Sequence, residues 1–321
     1  MPQVQAPTPL QSRAERWLPA ILLLNVICQV GIVLTGGLVR LTGSGLGCPT
    51  WPQCVPGSYT PVREQAQGMH KYIEFGNRTL TGVLLVVAVA ALVAVWVARP
   101  SRRDLKVATG LVLGGVLLQA LLGGLTVLLG LHPITVAVHF LVSAALVAVA
   151  TFAYAVRAAP LSSLSVPPVV SRLVAGTCAV GVVVLVLGTV VTGSGPHSGD
   201  ADAPARFGFD PRTISWLHAD AVMLFVGLVV ATWIAVRLTA GDDGRAAQGW
   251  RVVLLVTLAQ GLVGYTQYLT GLPWVIVLVH MFGAVLLVVA LTYGYVALRM
   301  PQAPPVAGDP ATAPEALSSS R

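Results

Sequence analysis

The chain has 321 residues, 55% of them hydrophobic and only 10% charged, with a net charge of +7. A water-soluble domain of this size needs far more polar surface, so soluble enzymes and soluble binding modules are excluded. The positive balance does not mark a nucleic-acid binder either, because the Lys and Arg residues flank apolar runs instead of forming one basic face.

Runs of about 20 apolar residues cross the hydrocarbon core of a bilayer. Eight are predicted: Trp17–Val39, His70–Ala98, Leu105–Leu128, Ile134–Val156, Leu173–Thr192, Ile214–Val236, Val252–Tyr268 and Trp274–Leu298. The fold class is therefore an all-α membrane protein with eight transmembrane helices. No small-residue cleavage site follows the first run, so it reads as a span and not as a removed signal. Residues 1–12 are polar and Pro-rich, and 1–16 are expected to form an N-terminal tail. Residues 300–321 have a similar composition and are expected to be disordered. Arg13, Arg16, Arg99, Arg102, Arg157 and Arg245 belong to the basic residues near the N-terminus and loops 2–3, 4–5 and 6–7, whereas loops 3–4 and 7–8 contain no Lys or Arg. By the positive-inside rule both termini are cytoplasmic and the odd-numbered loops face out. The first outer loop is the longest, and it holds Cys48-Pro-Thr-Trp-Pro-Gln-Cys54.

An internal repeat sets the architecture. Gln119–Tyr154 aligns without gaps on Gln260–Tyr295 at an offset of 141, matching Gln119/Gln260, Gly123/Gly264, Gly130/Gly271, Leu131/Leu272, His139/His280, Thr151/Thr292 and Tyr154/Tyr295. Earlier in each half, the Thr-Gly-Ser-Gly of 42–45 returns at 192–195, and His70 and His218 open the second helix. Two four-helix bundles are expected, 17–158 and 173–299, joined by a cytoplasmic linker at 159–172. With an even number of spans in each copy, a pseudo-twofold axis along the membrane normal relates them.

His70, His139, His218 and His280 fall on helices 2, 4, 6 and 8, each within about two turns of the outer end. Alternate helices of an up-down bundle lie diagonally across its core, so His70 faces His139 and His218 faces His280. Two facing imidazoles can hold a planar iron porphyrin from both sides. Gly76, Gly82, Gly227 and Gly283 would leave room for the macrocycle. A lone intramembrane His is more often a helix–helix hydrogen-bonding residue, but four in repeat-matched positions favour metal ligation. Zinc is disfavoured because no cysteine or carboxylate completes a tetrahedral set. His132 and His197 have no repeat partners and read as solvated loop residues.

The halves differ beside the first histidine of each. His70, Glu74 and Arg78 share one helix face at i, i+4 and i+8, whereas Val222 and Val226 follow His218 at those offsets. Glu74 could act as a base, stabilise a developing cation, or form a structural ion pair with Arg78. Cys48 and Cys54 could staple the loop or pass electrons by thiol–disulfide exchange. Cys28 and Cys178 read as packing residues. The asymmetry makes the N-terminal half the reactive site and the C-terminal half the holder of a permanent cofactor.

The stretch Gly36–Cys54, the His-x3-Glu-x3-Arg opening of helix 2 and the four even-helix histidines together resemble the heme A synthase family, over about Trp17–Met300. The resemblance implies oxidation of the C8 methyl of haem O to a formyl group, giving haem A for aa3-type terminal oxidases. It implies that His70 and His139 bind haem O or haem A, with Arg78 beside them. His218 and His280 would ligate haem B, and Glu74 matches the family's essential glutamate. Cys48 and Cys54 match a disulfide found in some branches. The expected partners are haem O and the haem O synthase that makes it, membrane lipid, an unidentified electron donor and, in a homo-oligomer, a second copy of the chain; nucleic acid is not among them. The expected location is a bacterial plasma membrane. A bis-His di-haem electron carrier explains the histidines equally well but not the Glu74, Arg78 and cysteine asymmetry. A transporter would place polar residues near the midplane.

Overall fold

The computed structural model describes residues 8–163, 166–200, 205–241 and 244–300. The expected disorder of 1–7 and 301–321, and part of the 159–172 linker, lie outside the described residues. Eight helices account for nearly all regular structure: α1 Pro9–Leu41, α2 His70–Ala98, α3 Arg103–Leu128, α4 Pro133–Ala155, α5 Pro168–Ser194, α6 Pro211–Ala240, α7 Arg245–Leu269 and α8 Trp274–Ala297. All eight are long and apolar enough to span a membrane. Among the described residues the only β-type pairings are two isolated bridges, Ser44 with Asp200 and Val55 with Ser58.

Local chemistry explains where the helices begin. Proline opens α1, α4, α5 and α6, where its missing N–H has no intrahelical partner to lose. Thr8 Oγ1 caps α1 by accepting from Gln11 N at 3.2 Å, and the Asp210 carboxylate caps α6 by accepting from Thr213 N at 2.8 Å. This cap corrects the expected tail: residues 9–16 are helical, and Glu15 on that extra stretch pairs with Arg99 at 2.5 Å.

The first four helices pack in a ring, α1 on α2, α2 on α3, α3 on α4 and α4 back on α1, so α2 and α4 are diagonal. In the second half α5, α6, α7 and α8 pack in sequence, and α5 closes only weakly on α8. The halves meet through α1 on α8, α4 on α8 and α4 on α5. Val33, Ala144, Val147, Val285 and Val288 fill that junction. Leu18, Leu22, Ala91, Ala94 and Val95 form a first-half core, and Trp250, Phe225 and Val229 belong to the core of the second. Cys178 packs against the second-half core, and Cys28 against a separate first-half cluster that includes Val26, Leu84 and Ala88, as expected. Large side chains such as Val86, Leu118, Leu238 and Leu262 point outward, which suits a surface facing hydrocarbon.

The repeat is visible in backbone detail. Gly130 and Leu131 end α3 with φ of 60° and 58°, and Gly271 and Leu272 end α7 with 78° and 62°. Leu131 N–H donates to Thr126 O at 2.9 Å and Leu272 N–H to Gln267 O at 2.8 Å, the same i to i−5 closure of a helix end.

Candidate functional site

Each histidine of the second and fourth helices rests on a glycine of the preceding helix or on a polar neighbour. His139 packs its Cε1 and Nδ1 edge against Gly123, His280 does so against Gly264, and His218 against Gly188. A methyl group at Gly123 or Gly264 would come within 3.3 Å of the ring, so the glycines let helix and imidazole approach closely. Gln119 Nε2 donates to His139 O at 2.9 Å and Gln260 Nε2 to His280 O at 2.8 Å, one matched pair of bonds across the repeat. Gln119 Nε2 also donates to Ser143 Oγ, for which the second half has Ala284.

His70 is built differently. It has no glycine beneath it; its Nδ1 lies 2.8 Å from Ser44 Oγ, which in turn bonds Thr42 Oγ1 at 2.7 Å. It is exposed, whereas His139, His218 and His280 are half-buried. Ser194, the repeat counterpart of Ser44, turns its hydroxyl onto Val190 O within its own helix instead.

The first turns of α2 clamp the long loop. Glu74 is buried, at 5% exposure; its Oε2 accepts from Cys48 N at 2.6 Å, and its Oε1 accepts from Arg78 Nε at 3.0 Å and Nη2 at 2.6 Å. Arg78 also donates to the carbonyls of Cys48 and Thr50 at 2.6 and 2.9 Å, and to Gln53 O at 3.3 Å. Cys48 and Cys54 are joined by a disulfide and are fully buried. Between them, the Trp51 indole lies on Gly124, the neighbour of the Gly123 that carries His139. A Cβ at Gly47 would strike the His70 carbonyl, so the loop backbone also touches the start of α2.

Lys71 is a residue that the sequence pattern did not single out. Only 4% exposed, it donates Nζ to Val62 O and Arg63 O at 2.7 and 3.0 Å, tying down the far end of the loop. Its signal was a cation beside His70 at the entrance of an apolar run. Two other expectations change. His197 is not simply solvated: its Nε2 meets Leu272 O at 3.0 Å and its carbonyl accepts from Arg40 Nε at 2.7 Å, which ties the outer loops together. Gly283 leaves room for the Gln260 side chain, which a Cβ would strike, and not for a macrocycle. Gly76, Gly82 and Gly227 do face open space. His132 is exposed and caps α4 through Nδ1, 3.4 Å from Ile134 N.

The donor set suits a haem. His139, His218 and His280 each bury an Nδ1 with no hydrogen-bond partner among the described residues, while no Nε2 is both buried and unpaired. His218 and His280 are close enough to interact electrostatically. No group of three or more His, Cys, Asp or Glu able to hold a metal occurs among the described residues. Paired donors fit iron in a porphyrin, whose ring supplies the remaining nitrogens, better than a protein-only zinc site.

Residues 19–292 match the COX15-CtaA family, described as cytochrome oxidase assembly protein. Among similar proteins, the heme A synthase of Symbiobacterium thermophilum is 30% identical over 276 residues, covering 79% of this chain and 89% of that protein. The heme A synthase of Bacillus pumilus is 40% identical over 129 residues, 39% of this chain and 40% of the relative. That of Listeria monocytogenes is 31% identical over 130 residues, so the match spans 40% of this chain and 42% of the relative's length.

Proposed function

The chain belongs to the COX15-CtaA family of cytochrome oxidase assembly proteins, and on that premise we propose that it is a heme A synthase, an oxidoreductase that converts a methyl group of haem O to a formyl group. The observation that carries the assignment of roles is the unequal treatment of two repeat-related histidine pairs. His70 is exposed, oriented by Ser44 and overhung by a disulfide loop that Glu74 and Arg78 hold in place. His218 and His280 are half-buried and have only apolar neighbours at the matching offsets. A pair with one exposed member suits a substrate that must enter and leave; a pair with both members half-buried suits a resident cofactor.

In this reading His70 and His139 orient haem O, and His218 and His280 hold a haem B, which supplies one-electron redox capacity when bound. Ser44 fixes the His70 ring through Nδ1 and leaves Nε2 for the substrate. Taking the methyl to a formyl group removes four electrons and four protons and adds one oxygen atom, so an external electron acceptor and water or dioxygen must reach the site, and loss of the first hydride to that acceptor leaves an electron-poor carbon. Glu74, one turn from His70 and fixed by Arg78 and the Cys48 amide, places a carboxylate in a water-poor pocket where it stabilises such a centre strongly. Trp51 on Gly124 and the loop above it limit access of bulk water. The termini lie in the cytoplasm and the histidine end faces out, which puts the disulfide on the oxidising side of a bacterial plasma membrane. A bis-His electron carrier would give no reason for the clamp over one site only.

The test is haem analysis of cells that make a haem O synthase together with this protein or its Glu74→Ala variant. Haem A with the unaltered protein and accumulation of haem O with the variant are expected. Absence of haem A from cells with the unaltered protein, despite haem O and tightly bound haem B, would contradict the assignment.

A further inference from the structure

Arg40, near the end of α1, reaches out of the N-terminal half into the C-terminal one. Its Nε donates to His197 O at 2.7 Å and its Nη2 to Thr192 O at 2.9 Å. Its stem lies 3.6 Å from where a Cβ on Gly199 would be. Thr192 O is one of the last carbonyls of α5, so part of the role of Arg40 is to cap that helix from outside.

Capping leaves most of the guanidinium unused. Two of its five N–H groups are accounted for, and both acceptors are neutral. The ion pairs among the described residues are Arg78 with Glu74, Arg99 with Glu15 and Arg102 with Asp104; none includes Arg40. A half-buried cation with no ion-pair partner among the described residues is costly at the edge of a hydrocarbon region. Nη1 is not among the buried unpaired atoms, so it can be reached. Together with the second N–H of Nη2 it forms a planar fork that matches a carboxylate.

The position of that fork selects the carboxylate. Thr192 lies one helical turn, about 6 Å of rise, beyond Gly188, on which the His218 ring rests. The fork therefore sits just past the level of the His218 and His280 pair, towards the histidine end of the bundle. A haem held by that pair must direct its charged propionates out of the hydrocarbon, and so towards that end. The repeat does not return the favour: the counterpart of Arg40, in register with the two Thr-Gly-Ser-Gly segments, is Val190.

We propose that Arg40 binds a propionate of the haem held between His218 and His280, so that the N-terminal half supplies an anchor for the cofactor of the C-terminal half. The proposal rests on the reading that this histidine pair holds a haem. It makes Arg40 a cofactor-binding residue and links occupancy of the second site to docking of the two halves.

The test is a comparison of two haems in full-length protein carrying His70→Ala and His139→Ala, which leaves one histidine pair. Protein with Arg40, Arg40→Gln or Arg40→Lys is purified in detergent and loaded with haem B or with its dimethyl ester, whose propionates carry no charge. Loss of haem to excess apomyoglobin and the haem midpoint potential are then measured. Arg40→Gln should speed the loss of haem B by about tenfold or more, as expected for a charge-assisted hydrogen bond, and should lower its potential. Arg40→Lys, which keeps the charge but not the fork, should fall in between and retain the fold. With the dimethyl ester all three proteins should behave alike. Equal acceleration for both haems would mean that Arg40 only caps α5, and would overturn the proposal, as would no change with either haem. An effect that appears only after anionic phospholipid is added would assign the fork to a lipid phosphate and also overturn it. Failure of either haem to give a bis-His low-spin spectrum would instead overturn the haem reading of this pair, and the proposal with it.

Discussion

The two halves share a four-helix plan and a Gln, Gly and His triplet on their last two helices, yet they close their histidine ends in different ways. The first half is covered by a buried disulfide, an indole on Gly124, and a Glu74–Arg78 pair that bonds the loop backbone at several points. The corresponding turn of the second half has Val222 and Val226, and its cover includes Phe207 packed on Gly193 and 5.9 Å from Phe209. Polar clamps hold a loop in one position with directional bonds. Apolar contacts exclude water without fixing any single group. The difference teaches that the repeat preserves the means of placing the imidazole of the fourth helix, while the placing of the second-helix imidazole and the material above it have been specialised.

Glu74 is where that contrast should break most visibly. Glu74→Gln keeps an acceptor for Cys48 N–H but removes the charge, and it should reduce haem A formation by about a hundredfold or more while leaving the loop ordered. Glu74→Ala should give a similar loss and also loosen the loop, seen as faster hydrogen exchange at the Cys48 amide. Substitution of Val222, the matching position, by Ala should leave haem A formation nearly unchanged. Equal losses at Glu74 and Val222 would erase the proposed difference between the halves.

Next in size is the clamp itself. Arg78→Ala leaves the buried Glu74 carboxylate without its cation and removes five hydrogen bonds, to Cys48, Thr50 and Gln53 of the loop and two to Glu74. It should cost about 3–5 kcal/mol of local stability, measured as protease sensitivity of the loop. Gly124→Val places carbon where the Trp51 ring now lies. It should cost about 1–3 kcal/mol by overpacking and shift tryptophan fluorescence. The matching position in the second half is Tyr265.

The smallest effects are of opposite sign at matched turns. Leu272→Gly relieves a left-handed leucine and should add about 0.5–1 kcal/mol to stability. Leu131→Gly relieves the same backbone but removes a buried side chain that fills the space beside Gly45 and Gly199, and should lose about 2 kcal/mol. Thermal denaturation of the two variants in one detergent compares them directly.

Much of this was legible in the sequence, because membrane helices declare themselves through length and composition and because a repeat doubles every signal. The eight spans, the repeat-matched Gln119 and Gln260, and the four histidines could all be read from spacing. The clamp could not be read in full. That Glu74 and Arg78 share a face follows from helical period, but their bonds to Cys48, Thr50 and Gln53 depend on how an irregular loop folds back, which no periodicity encodes. Lys71 was missed for the same reason, since its acceptors are loop carbonyls. His197 and Gly283 were misread because their partners, Arg40, Leu272 and Gln260, lie on other elements and carry no local pattern. The start of α1 was set too late because its first turns are polar, which hydropathy penalises although Thr8 and Pro9 cap them well.

The most direct test of the division of labour is the pigment retained by two purified double variants, made in cells that also produce a haem O synthase. Protein with His70→Ala and His139→Ala should keep haem B and make no haem A. Protein with His218→Ala and His280→Ala should lose haem B and still copurify with haem O through the remaining pair. Retention of haem B by the second variant and its loss from the first would reverse the assignment of the halves and contradict the account.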